Sequence, residues 1–289
     1  MAGVARVGWW GTTGAPGLSN ILGGQPSDEV VLAELYDLEH DEITEDLAFY
    51  RESARGVKGA IIDLGCGSGR LFTPLVAGGA SKIVGIDGSP ALIERARARI
   101  ASDERLRTAH ADGRIELALG DVRTARHPHR FSLAILAGVL AHLDGPEEAV
   151  RALSAARQLL KPTGLLIVDT LGPGGLPRHD LPLSVDWERQ VDGRRVVRRS
   201  QLTRNEAPEG MRVDYATLTD LAEADGTIAR LPASFRLWYP SSAALIGMAN
   251  EAELTVEAAY GSHDLDPLDE GSERCIVVLR RAASESGME

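Results

Sequence analysis

Three glycines alternate at Gly65, Gly67 and Gly69 in the stretch IIDLGCGSGR, directly after an acid at Asp63. Glycine leaves its backbone bare and tolerates left-handed dihedrals, so something approaches this loop closely. A phosphate loop needs a Gly-Lys-Ser/Thr ending, which is missing. A dinucleotide fingerprint spaces its glycines G-x-G-x-x-G. D-x-G-x-G-x-G is a different spacing. It suits a ligand that lays an amino-acid tail across the loop and has no pyrophosphate; the plain alternative is a tight turn that binds nothing. Two further acids stand in regular places. Asp87 closes KIVGID, where an acid can accept from both hydroxyls of a ribose. Asp121, in LGDV, can accept from an adenine amino group. Each alone fits a surface turn. Together they would line one crevice at the carboxyl ends of successive strands, where open α/β sheets bind ligands.

The elements around these acids alternate. GAIIDLG, KIVGID, RIELALGD, FSLAILAG and GLLIVDT read as strands. Between them GRLFTPLVAGG, SPALIERARARIAS and GPEEAVRALSAARQLLKPTG read as helices, with Ser89 as N-cap and Pro90 at the first helical position of the second. This alternation predicts a parallel sheet covered on both faces. One or two helices precede it, from Ser27 to about Gly56, and a Gly/Thr/Ser/Pro-rich arm over residues 1–27 carries Trp9 and Trp10. After Thr170 the pattern changes. Two Asp-Gly turn signals, Asp192-Gly193 and Asp225-Gly226, predict an antiparallel ribbon of strands 184–191, 194–205, 211–222 and 227–238. A helix over SSAALIGMANEAEL and two strands, TVEAAYG and RCIVVLR, end the chain. The organisation expected is an arm (1–27), a core (28–170 and 241–281), a lid insertion (171–240) and a disordered tail (282–289).

The 289 residues are 44% hydrophobic and 25% charged, ordinary for a soluble globular protein. A net charge of -11 argues against a nucleic-acid footprint, which needs clustered Lys and Arg. The two cysteines, Cys66 and Cys275, do not form a disulfide framework, so a cytoplasmic location is expected. No apolar run approaches membrane-span length, and the N-terminus has no stretch of signal-peptide length.

DLGCGSGR, VGIDGSP, LGDV and LLKPTGLLIVD, in this order, resemble the class I S-adenosylmethionine-dependent methyltransferases over residues 30–281. The resemblance implies a seven-stranded, mostly parallel Rossmann-like sheet with the last strand antiparallel, and S-adenosylmethionine as cofactor. It places Gly65 to Gly69, with Cys66 and Asp63, at the methionine end, Asp87 and Gly88 at the ribose, and Asp121 and Val122 at the adenine. Ala137 and Gly138, closing the fourth strand, stand beside the transferred group. YDLEHDEITEDLAFY before the sheet and a hairpin lid after the fifth strand are similar to the sugar N-methyltransferase and glycine N-methyltransferase branch, many of whose members serve bacterial natural-product pathways. In those sugar enzymes an N-terminal tyrosine closes over the cofactor, a role open here to Tyr36 or Tyr50.

A small-molecule acceptor and no metal are expected. ILAGVLAHLDG lacks the Asn/Asp-Pro-Pro-Tyr/Phe sequence of enzymes that methylate nucleic-acid amino groups. His142, the one histidine in that segment, is placed to take a proton from the acceptor, or else it caps the strand. Arg70 either pairs the cofactor carboxylate or bridges to an N-terminal acid. Tyr50, His179, Trp187, Arg236, Trp238 and Tyr239 are the substrate-contacting candidates. The ribbon is expected to roof the pocket or to pair with another subunit in a homodimer. His127 and His129, and the acidic SHDLDPLDE, offer metal-like compositions that a solvated loop explains as well. The same cofactor motifs would serve an aminocarboxypropyl transferase, a cyclase or a non-catalytic binding protein.

Overall fold

The computed structural model describes residues 28–282 apart from 192, 223 and 224. The arm with Trp9 and Trp10, Asp192 of the first turn, and the tail from residue 283 lie outside the described residues.

Two helices, α1 (Asp28–His40) and α2 (Leu47–Val57), precede the sheet. Then come β1 (Ala60–Leu64), α3 (Phe72–Ala77), β2 (Lys82–Asp87), α4 (Pro90–Ser102), α5 (Glu104–Ala111), β3 (Ile115–Leu119), β4 (Phe131–Ala137), α6 (Pro146–Leu159) and β5 (Leu160–Leu171). The insertion contributes β6 (Leu181–Val191), β7 (Arg194–Ala207), β8 (Gly210–Ala222) and β9 (Ile228–Pro240). The chain closes with α7 (Ser242–Glu251), β10 (Leu254–Tyr260) and β11 (Arg274–Arg281).

The larger sheet runs β10-β11-β5-β4-β1-β2-β3. Strands β1 to β5 pair in parallel, and β11 is antiparallel to both β5 and β10. It is the seven-stranded Rossmann-like sheet expected. One face packs on α6 and α7 around Leu153, Ala156, Leu245 and Val277. The other packs on α2 to α5 around Tyr50, Phe72, Ile93 and Leu106. Local signals agree with the packing. Ser89 caps α4, its hydroxyl accepting from the Leu92 N–H at 3.3 Å, and Ser241 caps α7 from Ala244 at 3.1 Å.

Three details differ from expectation. The helix before β5 stops at Leu159, and Leu160 to Thr163 already run with the strand; Pro162 lacks an N–H and biases Lys161 toward extended backbone. Residues 104–111 form an extra helix, α5, capped by Asp103, whose carboxylate accepts from Arg105 and Leu106 N–H. The four ribbon strands are longer than read, and form a sheet of their own in the order β6-β7-β8-β9. Gly193 and Gly226 take φ of +77° and +87°, as turns between antiparallel strands require.

Candidate active site

The strand order reverses at β1, so the carboxyl ends of β1 and β4 open on one crevice. A cavity of about 990 Å³ lies there. The glycine loop forms one wall, with φ of +79° at Gly65, +55° at Gly67 and +76° at Gly69. The N–H groups of Gly65 and Cys66 donate to Ile86 O at 2.7 and 3.0 Å, which ties the loop to β2. Asp87 stands at the end of that strand. Its carboxylate accepts from Gly67 N–H and Ser89 N–H, both at 2.8 Å, and it faces the cavity with Gly88. Burial raises this carboxyl, opposed by the N–H groups of Ser89, Gly67 and Gly88. Gly69, Cys66 and Asp63 lie beneath the wall. Asp63 is 2% exposed, and no hydrogen bond reaches its carboxyl among the described residues. Burial, and then the charge of Asp87, push it up to about 7.

Asp121 lines the same cavity with Val122. Arg123 grips its carboxylate from Nε at 2.9 and 3.0 Å, and that hydrogen bonding lowers its pKa. Leu119, 60% exposed at the end of β3, adds an apolar surface to this part of the wall. Sequence reasoning missed Leu119; its signal was its place just before Gly120-Asp121.

The fit to S-adenosylmethionine rests on these features. Positive-φ glycines leave the backbone bare, a Cβ on Gly138 would meet nothing within 4 Å, and three strand ends in a row present an acid or an apolar face. The buried Asp63, short of hydrogen-bond donors, suits a cationic group above the loop. Gly65, Gly67, Asp87, Gly88, Leu119, Asp121 and Val122 would hold the cofactor.

Tyr36 and His40 reach the cavity from α1, stacked with ring centroids 3.8 Å apart. Burial pushes the Tyr36 phenol above its ordinary range and the His40 imidazole down to about 4. A Cβ on Gly67 would lie 3.2 Å from the Tyr36 hydroxyl, so this tyrosine sits over the loop. Helix α1 is tied on two sides. Asp37 pairs with Arg95 and Arg99 of α4, while Glu39 pairs with Arg198 of β7. Arg70 takes the protein-bound option: it grips Asp46 at 2.8 and 2.5 Å and donates to Ile43 O, yet it still lines the cavity.

At the other end, Ala137 and Gly138 close β4, and His142 follows on a single 3-10 turn (Leu140–His142), half-buried and facing the cavity. From β9, Ser234 and Arg236 line the same cavity, Arg236 largely exposed and paired with Asp214. The other substrate candidates stand elsewhere. Tyr50 is fully buried, its hydroxyl committed to Asp169 at 2.7 Å. Trp238 is 1% exposed within the main core, and Tyr239 packs under the second sheet with Leu171 and Leu237. Trp187 packs with Leu35 of α1 under Arg189, and His179 is exposed ahead of β6. Trp187, Trp238 and Tyr239 lie on strand positions whose side chains pack into cores, Tyr50 is on the buried face of α2, and His179 precedes β6 in an exposed loop. Sequence reasoning missed that the SHDLDPLDE loop brings Ser262, His263 and Asp264 to the cavity wall, beside Asp169 of β5 and Arg274 of β11.

Fold and cavity together have the architecture of the class I methyltransferases, those that depend on S-adenosylmethionine. Residues 62–166 match the family described as a methyltransferase domain. Over 116 residues the chain is 32% identical to a ubiquinone biosynthesis O-methyltransferase of Cereibacter sphaeroides, covering 38% of this chain and 40% of that protein. The chain spans at most half the length of the curated relatives it matches. Among solved structures it shares its fold with the CcbJ methyltransferase from Streptomyces caelestis, at TM-score 0.67 and 23% identity over 87% of this chain and 96% of that one. The sugar N-methyltransferase KedS8 from Streptoalloteichus sp. superposes at TM-score 0.67 and 19% identity, over 94% of this chain and 99% of that one. No helix among the described residues is long and apolar enough to cross a membrane.

Proposed function

We propose that this chain transfers a methyl group from S-adenosylmethionine to a nitrogen or oxygen of a small molecule, a bacterial secondary metabolite or a sugar. The observation that carries this reading is one continuous cavity, with the glycine loop and the acids of β2 and β3 at one end and His142, His263 and Arg236 at the other. Bound S-adenosylmethionine supplies a methyl group on an already activated sulfonium. The chain's own task is then alignment at about 3–3.5 Å, and proton removal where the acceptor arrives protonated. Residues 171–240 act as the lid, with Ser234 and Arg236 against the acceptor. Tyr36 covers the methionine end, and His142 meets the acceptor beside Gly138. The similarity to a sugar N-methyltransferase supports a sugar acceptor, and that to O-methyltransferases keeps oxygen in view.

The protein acts as a homodimer in the cytoplasm on this reading. Strand β6 ends the second sheet, and Leu183 and Val185 on it are 48% and 56% exposed, a surface suited to a second copy. Cys66 and Cys275 are both free, as a reducing compartment would keep them. Sedimentation giving only monomer would remove the dimer. The chemistry is tested by incubating the protein with methyl-labelled S-adenosylmethionine and a panel of amino sugars, sugar alcohols and phenols. Methylated product with S-adenosylhomocysteine is the expected result; methylthioadenosine would mean aminocarboxypropyl transfer, and tight binding without turnover would mean a non-catalytic protein.

A further inference from the structure

His263 lies on the loop between β10 and β11, and its ring is held by an unusually well-supplied carboxylate. Its Nε2 is 2.8 Å from Asp169 Oδ2, and the Tyr50 hydroxyl donates to the same oxygen at 2.7 Å. Arg274 donates to Oδ1 from Nε at 2.9 Å and from its terminal nitrogen. Burial alone would raise the Asp169 carboxyl, but Arg274 and His263 hold it below the usual carboxylate range. An ionised carboxylate only accepts, so Nε2 carries the hydrogen, and the lone pair of the neutral form stands on Nδ1. No described residue hydrogen-bonds Nδ1. Nor is that atom among the sealed, unpartnered ones. The side chain is 10% exposed and lines the cavity, while Phe49 and Tyr50 pack around the ring at 5.7 and 6.2 Å.

The ring is also in the right place. Asp169 pairs with Ala137 across β4 and β5, and its backbone oxygen accepts from Gly138 N–H at 2.8 Å. Ala137, Gly138, Asp169 and His263 therefore share the wall where the acceptor would be aligned. Around the ring stand Asp169 on β5, Tyr50 on α2 and, behind Asp169, Arg274 on β11; Asp264 follows it in its own loop, and Asp46 acts on Tyr50 and Arg274.

We propose that His263 is the general base of this site, with Asp169 as its positioning residue; the proposal rests on the methyl-transfer reading above. An N–H or O–H bond of the acceptor breaks, the proton passes to Nδ1, and the bonding pair stays on the nucleophile. That pair forms the bond to the methyl carbon, and the carbon–sulfur pair leaves with sulfur. The charge gained by the imidazole is met by the ionised Asp169. His142, on its 3-10 turn, then orients the acceptor.

The first test needs no acceptor. In protein labelled with ¹⁵N-histidine, long-range ¹H–¹⁵N spectra read the tautomer of each ring, with His263 assigned by the signals lost in His263→Ala. The expected result is Nε2–H with Nδ1 unprotonated at high pH, and a titration of this ring whose midpoint matches the acid limb of kcat. An Nδ1–H tautomer, or one unchanging protonation state from about pH 5 to 9, overturns the proposal. The second test uses the acceptor that the wild type turns over fastest in the panel above. His263→Ala should lower kcat by about 10²–10⁴-fold, with partial rescue by added imidazole and with S-adenosylmethionine Kd unchanged within about twofold by calorimetry. A fewfold loss, or imidazole rescue confined to His142→Ala, places the base elsewhere. If the panel shows no turnover at all, the methyl-transfer reading fails, while the spectra still decide the state of His263.

Discussion

Two buried aspartates close two strands of one sheet, and the molecule treats them in opposite ways. Asp63, near the end of β1, and Asp169, near the end of β5, are each 2% exposed. Among the described residues no hydrogen bond reaches the Asp63 carboxyl, and burial with the charge of Asp87 pushes it up to about 7. Asp169 has donors from Tyr50, His263 and Arg274 and is held ionised. The difference separates the two ends of the cavity. At the glycine-loop end, proposed above for the cofactor, the wall is bare backbone and local turns, and charge is left for a ligand to complete. At the β5 end, proposed for the acceptor, side chains complete the charge themselves and leave one ring nitrogen over.

Arg274→Met gives the largest effect expected. It strips Asp169 of its guanidinium and leaves a buried charge unpaired, a loss of about 3–5 kcal/mol. Thermal or urea unfolding checks it, and an unchanged stability would mean that Tyr50 and His263 suffice. Gly67→Val comes next and acts only at the other end. At φ +55°, with Tyr36 near where its Cβ would lie, the variant should weaken S-adenosylmethionine binding about 100-fold or more by calorimetry. Wild-type affinity would show that the bare backbone is not what the cofactor meets.

Asp87→Ala removes a charged acceptor worth about 1.5–3 kcal/mol per hydrogen bond, so affinity should fall at least about tenfold with folding retained. Asp63→Asn sharpens the comparison through pH. The folded pKa of Asp63 is raised above its unfolded value, so its contribution to stability is full below about 4 and is lost as pH rises through about 7. Between about pH 4 and 7 the wild type should therefore lose up to about 1.4 kcal/mol per pH unit relative to the permanently neutral Asn variant, and the two should run parallel above that. Stability curves parallel throughout would place Asp63 outside this linkage. The smallest effect is Ser89→Ala, which loses the α4 cap at a cost of about 1 kcal/mol and should leave the acceptor end untouched.

How much of this was legible follows from the same division. The cofactor end is written in short, contiguous stretches: a glycine loop, and acids that end strands of recognisable apolar character. Alternation of strands and helices was enough to place Asp87 and Asp121 at one edge. The second sheet was announced by its Asp-Gly turns. The acceptor end is assembled from remote positions. His263 and Arg274 meet Asp169 across 94 and 105 residues, and no local pattern encodes such a meeting. Asp169 sat unremarked inside LLIVDT because a charge in a buried strand is intelligible only with its partners in view. Trp187, Trp238 and Tyr239 drew notice as aromatics, and only pairing register tells which face each one presents.

The place where the four-stranded insertion joins the sheet has an evolutionary consequence. The chain departs after Leu171, which pairs with Arg274, and it returns at Ser242, whose hydroxyl lies 3.6 Å from the Cys275 thiol, one residue further along the same strand. Exit and re-entry are thus neighbours. Changes of length at the far turns of this insertion leave the register of β5 against β11 untouched, whereas Trp238 in the main core and Arg198 on Glu39 of α1 tie its inner parts down. If the insertion meets the acceptor as proposed, its outer turns are where acceptor specificity can drift by insertion and deletion, while the glycine loop and the acids of β2 and β3 lie outside that segment and evolve separately.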